Sequence, residues 1–215
     1  MGKALFLILM LLVTGLLLQP VSAMAATTEQ WAFRAIRKGE DIGHHNVTVT
    51  RRDGEARATV DISLIVRAFG FLPLYHYHHK SQELWRDGRL VNLESTTDDN
   101  GTQHYVKAFA TADGVLQIEG SRFKGSAPAD VMTTSYWNNA FPRHKLLLDT
   151  QSGRLLEVTV AEQPLQPEEG VPPDARHYRL DGDLRLELWY DAARRWIKNR
   201  FRASDGSVID YRLAP

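Results

Sequence analysis

The chain has 215 residues, no cysteine, and 26 basic against 26 acidic side chains. The lack of thiols excludes disulfides, thiolate catalysis and cysteine metal sites, and leaves no cysteine for lipid attachment. Balanced charge argues against a nucleic-acid surface or a polybasic membrane surface.

The first element in chain order reads as an export signal. Lys3 precedes a nearly unbroken apolar run, Ala4 to Leu18, which Pro20 interrupts before Ala23-Met24-Ala25. A short positive region, an apolar core and an A-x-A site describe a cleaved secretory signal. The run is shorter than the about 20 residues a comfortable membrane span requires. We therefore expect residues 1–25 to be a signal peptide and 26–215 to be one exported domain. The expected location is periplasmic. The protein is not expected to be a lipoprotein, nor to insert stably in a membrane once the signal is removed.

Glycine turns divide the rest. Lys38-Gly39, Asp53-Gly54, Asp87-Gly88, Asn100-Gly101, Asp113-Gly114 and Asp205-Gly206 recur at about the length of a strand or a hairpin. Asp-Gly and Asn-Gly suit hairpins because type I′ turns need positive φ at both central residues. The segments between them alternate. Val60, Ile62, Leu64 and Val66 oppose Thr59, Asp61 and Ser63. Leu156, Val158 and Val160 oppose Glu157 and Thr159. Leu184, Leu186, Leu188 and Tyr190 oppose Arg185, Glu187 and Trp189. Such alternation offers one face to a core. The spacing predicts a mainly β domain: a single, strongly curved antiparallel meander sheet or open barrel, because twist accumulates across so many strands. Two stretches break the pattern. Residues 126–143 predict a short helical or irregular plug, and the Pro- and Glu-rich 162–174 an exposed loop.

YHYHHK, residues 75–80, puts three histidines in four positions. On a strand, Tyr75, Tyr77, His79, Ser81, Glu83 and Trp85 point one way, and His76 and His78 the other. A metal set of His76 and His78 with His104 from a neighbouring strand is one reading, because H-x-H can chelate zinc or copper. The better reading is an aromatic strand face. With TTSYWNNAF at 133–141, it suggests a cavity lining of Tyr75, Tyr77, His79, Glu83, Trp85, Tyr136, Trp137 and Trp189. No catalytic residue is assigned: nucleophile elbow, zinc-protease and phosphate-loop motifs are all absent. No cofactor is expected.

Several longer runs carry a resemblance: WAFRAIRKGEDIGHHNVTVTRRDGE, YHYHHKSQELWRDGRLVNLESTTDDNGTQHYVKA, TTSYWNNAF, LLDTQSGRLLEVTV and ARHYRLDGDLRLELWYD. From about Trp31 to Leu213 the chain resembles an exported bacterial family known only as a domain of unknown function. Its relatives resemble the half-barrel of lipoprotein carriers, in which an antiparallel sheet wraps an apolar cavity. The resemblance implies a curved sheet and brings no activity or site residue. The expectation is a periplasmic protein that binds a lipid or other amphipathic small molecule in the sheet's concavity. Two alternatives stand beside it: an envelope protein–protein interaction module with a filled core, and a histidine-based metal-binding protein.

Overall fold

A computed structural model describes residues 25–214, so the expected signal peptide lies outside the described residues but for Ala25. The described residues form fifteen strands. They are β1 (Thr27–Arg37), β2 (Glu40–Arg52), β3 (Glu55–Ala68), β4 (Leu72–Arg86), β5 (Arg89–Asp99), β6 (Thr102–Ala110), β7 (Val115–Gly120) and β8 (Lys124–Pro128), then β9 (Met132–Thr133), β10 (Leu146–Leu148), β11 (Leu155–Gln163), β12 (Arg176–Gly182), β13 (Leu186–Tyr190), β14 (Trp196–Arg202) and β15 (Val208–Leu213).

All belong to one sheet, ordered β8 down to β1 and then β15 down to β9. The order follows from local chemistry plus one long-range pairing. Lys38-Gly39, Asp53-Gly54, Asp87-Gly88 and Asn100-Gly101 each have positive φ at both residues, and each joins two strands through a two-residue turn. These are the type I′ hairpins the sequence announced. The long-range pairing sets β1 against β15, with Ala35 opposite Tyr211, and so fuses the N- and C-terminal meanders. Neighbouring strands are antiparallel except β9 and β10.

The sheet stays open at its edges, β8 and β9, but it coils until its two ends overlap. The turn between β10 and β11 presses on the inner side of β5 to β7. There Ser95 Oγ donates to Thr150 O at 2.6 Å, and Arg122 N–H donates to Ser152 O at 3.0 Å. Gly120 and Gly153 meet backbone to backbone: a Cβ on Gly120 would sit 2.4 Å from Ser152 O and 2.8 Å from Gly153 Cα. Only glycine permits that approach.

The inner face carries the core. Trp31, Phe33, Trp85, Trp137, Phe141 and Trp196 are buried there among leucines and valines. Full burial of each such side chain contributes about 2 kcal/mol. Residues 126–143 are irregular rather than helical, with β9 and a single 3-10 turn at Phe141–Arg143. They plug the coil, and β8 takes up the first residues of the expected plug, 126–128. The Pro-rich segment is more than an exposed loop. Leu165, Val171 and Ala175 pack on Trp189 and Ile197 of the outer face. Glu168 pairs with Lys198 at 2.9 Å and with Arg200, which straps the segment to β14.

Candidate functional site

The inner face of β4 reads as its alternation requires. His79, Ser81, Glu83 and Trp85 are buried, with Tyr75 and Tyr77 partly so. Strand pairing extends this into a transverse row. Phe33, His45, Ile62, His79, Thr97 and His104 stand opposite one another from β1 to β6. His79 Nδ1 meets Thr97 Oγ1 at 2.7 Å, and His104 Nδ1 meets Ser121 Oγ at 3.0 Å. His45 sits edge-on to Trp196 and Tyr211, with ring centroids 5.2 and 5.5 Å away. Burial, with a contribution from the nearby His79 and His44, pushes the His45 pKa down to about 3. Burial likewise brings His79 to about 4. Both rings are neutral in the physiological range.

The centre of the face is Glu83. Its Oε2 accepts from Trp85 Nε1 at 2.7 Å, Trp137 Nε1 at 3.2 Å and Thr133 Oγ1 at 3.3 Å. One carboxylate thereby ties β4 to the irregular plug. Trp85 and Trp137 meet edge to face at 5.9 Å. Burial raises the Glu83 pKa, against the opposing pull of its indole and hydroxyl donors. Tyr136 completes the plug: its carbonyl accepts from Tyr190 Oη at 2.9 Å, and its ring abuts Phe141 and Trp196.

Tyr77, His79, Glu83, Trp85, Tyr136 and Trp137 are therefore brought to one interior, where they pack on one another and on the core. Tyr75 lies at the rim and donates to Asp99 at 2.7 Å. Trp189 is a correction. It projects from the outer face and stacks on His177 at 4.3 Å beneath the strap. The histidine set is a second correction. His76 and His78 are exposed on the outer face, where His76 meets Asp98 at 3.3 Å, while His104 faces inward. Nor do the inward histidines converge. His45, His79 and His104 sit two strands apart in turn, roughly 10 Å each. Among the described residues, no group of three or more His, Cys, Asp or Glu side chains could hold a metal ion.

The sequence reading missed an arm. β2 pairs with β3 only as far as Leu64, and β5 pairs with β4 only as far as Tyr77. Residues 65–76 therefore run on as a hairpin, tied to the end of β5 only at its base, where Asn100 N–H donates to His76 O at 2.9 Å, and its tip lies roughly 15 Å beyond the last flanked rung. At its end Phe69 is 88% exposed, Phe71 76%, Leu74 59% and Leu72 49%. The available signal was FGFLPL, an apolar run where a turn had to fall.

The architecture is that of a β-barrel-like domain. The solved structure of a β-barrel-like protein of a domain of unknown function, DUF1849, from Brucella abortus matches with a TM-score of 0.56. The match covers 86% of this chain and 95% of that one at 11% identity, a likeness of fold. The chain itself belongs to the DUF6134 family, a domain of unknown function, whose sequence pattern matches residues 33–214. No curated protein matches it.

Proposed function

We propose that this chain is an exported envelope interaction module: a filled barrel that works from its outer surface through the arm at 65–76. The apolar N-terminal run and its A-x-A site support a periplasmic location. The observation that carries the reading is how the interior is occupied. Trp85, Trp137 and Thr133 all bond to Glu83 Oε2 across the space where an apolar cargo would have to lie, leaving Glu83 Oε1 buried without a partner. A carrier needs a concavity of several hundred Å³ lined by side chains with free surface. Here Trp85 and Trp137 are 2% and 4% exposed. Of the seven large apolar side chains exposed among the described residues, four, including the two most exposed, cluster on the arm; Tyr105, Phe109 and Leu213 lie singly elsewhere. Exposed apolar surface concentrated at one point of a fold marks a contact site.

One observation favours the carrier alternative. His45 Nε2, Ser81 Oγ and His104 Nε2 are buried without a hydrogen-bond partner, and such atoms could receive a small polar guest. Native mass spectrometry of the protein recovered from the envelope without chelator separates the readings. The interaction module predicts the polypeptide mass alone. A retained organic mass, released on denaturation, would overturn it in favour of a carrier. A zinc- or copper-sized increment would overturn it in favour of a metal protein.

A further inference from the structure

Five hairpin turns in the first half of the chain share positive φ at one residue and at the glycine that follows, four of them spanning two residues and the one at Phe69 three, between Ala68 and Leu72. The first residues are Lys38, Asp53, Phe69, Asp87 and Asn100. Four are polar, as a solvent-exposed turn requires, and asparagine and aspartate tolerate positive φ best. Phe69 is the exception. It holds φ at 53° and leaves its ring 88% exposed. Nothing in the fold is served by that ring. Phe71, Leu72 and Leu74 extend the same apolar tip down the returning strand.

We infer that this tip inserts into the interfacial region of an anionic lipid bilayer and holds the barrel against a membrane as a peripheral protein. The inference rests on the reading that the barrel works from its outer surface. Shape is one argument. The tip is convex and narrow, standing on a two-stranded arm with no neighbouring strands to form a docking face. A bilayer accommodates a convex apolar tip without needing a matching groove. Charge is the other. From Ile62 to Gln82 there is no aspartate or glutamate. Arg67 is exposed on the arm and makes no ion pair among the described residues. Lys38, on the adjacent β1–β2 turn at the same end of the barrel, likewise makes none. Carboxylates stand lower, at the shoulder: Glu40 and Asp41 follow Lys38 on the β1–β2 turn, with Asp41 paired to Arg34, while Asp98 meets His76 and Asp99 accepts from Tyr75. Phenylalanines and leucines at the end, a basic side chain behind them and a tyrosine at the base match the depth profile of a lipid interface. No helix of the described residues is long and apolar enough to cross a membrane, and the arm would not cross one either.

The test uses residues 26–215, which hold every described strand and omit the apolar Ala4–Leu18 run that would itself bind lipid. The protein is floated with vesicles of phosphatidylethanolamine and phosphatidylglycerol, and separately with vesicles of phosphatidylcholine alone. We expect co-flotation with the anionic vesicles. Phe69→Asp with Phe71→Asp should lower it by about tenfold or more, since the apolar area at the tip drives entry. Arg67→Glu should lower binding several-fold on anionic vesicles and leave any residual binding to neutral ones unchanged. Phe71→Trp should gain fluorescence quenching by brominated lipid in the bilayer, which a contact confined to headgroups would not give. The circular dichroism of each variant should match the parent, because none of these side chains is part of the core. Absence of flotation on both vesicle types overturns the inference, as does flotation that the double variant leaves unchanged. A purified protein partner whose binding requires Phe69 and Phe71, with no flotation, would overturn the lipid assignment and uphold the outer-surface reading. A retained cargo mass in the native spectrum would overturn that reading itself.

Discussion

The two halves of β4 are one strand with two fates. From Tyr77 to Arg86 it is flanked on both sides, and its inner side chains are buried or half-buried and, Ser81 apart, hydrogen-bonded. From Leu72 to Leu74 it has β3 alone for company, and Leu72 and Leu74 stand in solvent. The alternation of side chains is the same in both. What changes is whether neighbouring strands continue. In the flanked half, residue choice is dictated by packing and by the needs of Glu83. In the arm nothing in the fold dictates it, so apolar residues there point to a contact outside the fold.

The comparison breaks most severely at Glu83. Replacing it with Ala strands two indole N–H groups and opens a cavity, which should cost about 4 kcal/mol in urea unfolding. Glu83→Gln keeps one acceptor oxygen and should cost about 1 kcal/mol. Gly120→Ala attacks the overlap of the sheet's ends instead. Its Cβ would strike the Ser152 carbonyl and the Gly153 backbone, neither of which can swing aside, so a loss of about 3 kcal/mol is expected.

Acid is a gentler probe of the same interior. Burial holds the pKa values of His45 and His79, about 3 and about 4, below the unfolded value of 6.5. Between those values the unfolded chain binds more protons than the folded one, so stability falls as pH drops below 6.5. By pH 5 the loss should be roughly 2 kcal/mol for each histidine. Glu83 acts with the opposite sign. Its raised pKa means the folded state binds the extra proton above 4.5, which offsets part of the histidine effect in acid. The net acid loss should shrink when His79 is replaced by Gln, a neutral side chain that can still meet Thr97. Unfolding free energies measured at pH 7 and pH 5 check this.

Much of this architecture was legible in the sequence, and the limits have physical causes. Period-two alternation placed Tyr77, His79, Glu83 and Trp85 on one face, because a pleated strand leaves no other choice. The Asp-Gly and Asn-Gly turns were legible because few dipeptides accept two positive φ values in succession. β8, KGSAP, escaped because an edge strand pairs on one side only and carries Gly and Pro at little cost. Trp189 alternates with Leu188 and so reads as outward, against its place in the expected lining; only the strap, a tertiary event, explains its burial. The arm was hidden because alternation runs through LPLYHYHHK without marking where β2 and β5 stop. Phe69-Gly70 also lacks the polar first residue by which the other turns were recognised.

The smallest expected effect is the most telling. Phe69→Asn puts at φ 53° the residue type that tolerates it best. If the ring serves only contacts outside the fold, the variant should unfold in urea with the parent's free energy or about 0.5 kcal/mol more. A loss of more than about 1 kcal/mol would mean that Phe69 packs within the native fold, and the division between a filled barrel and a contact arm would not hold.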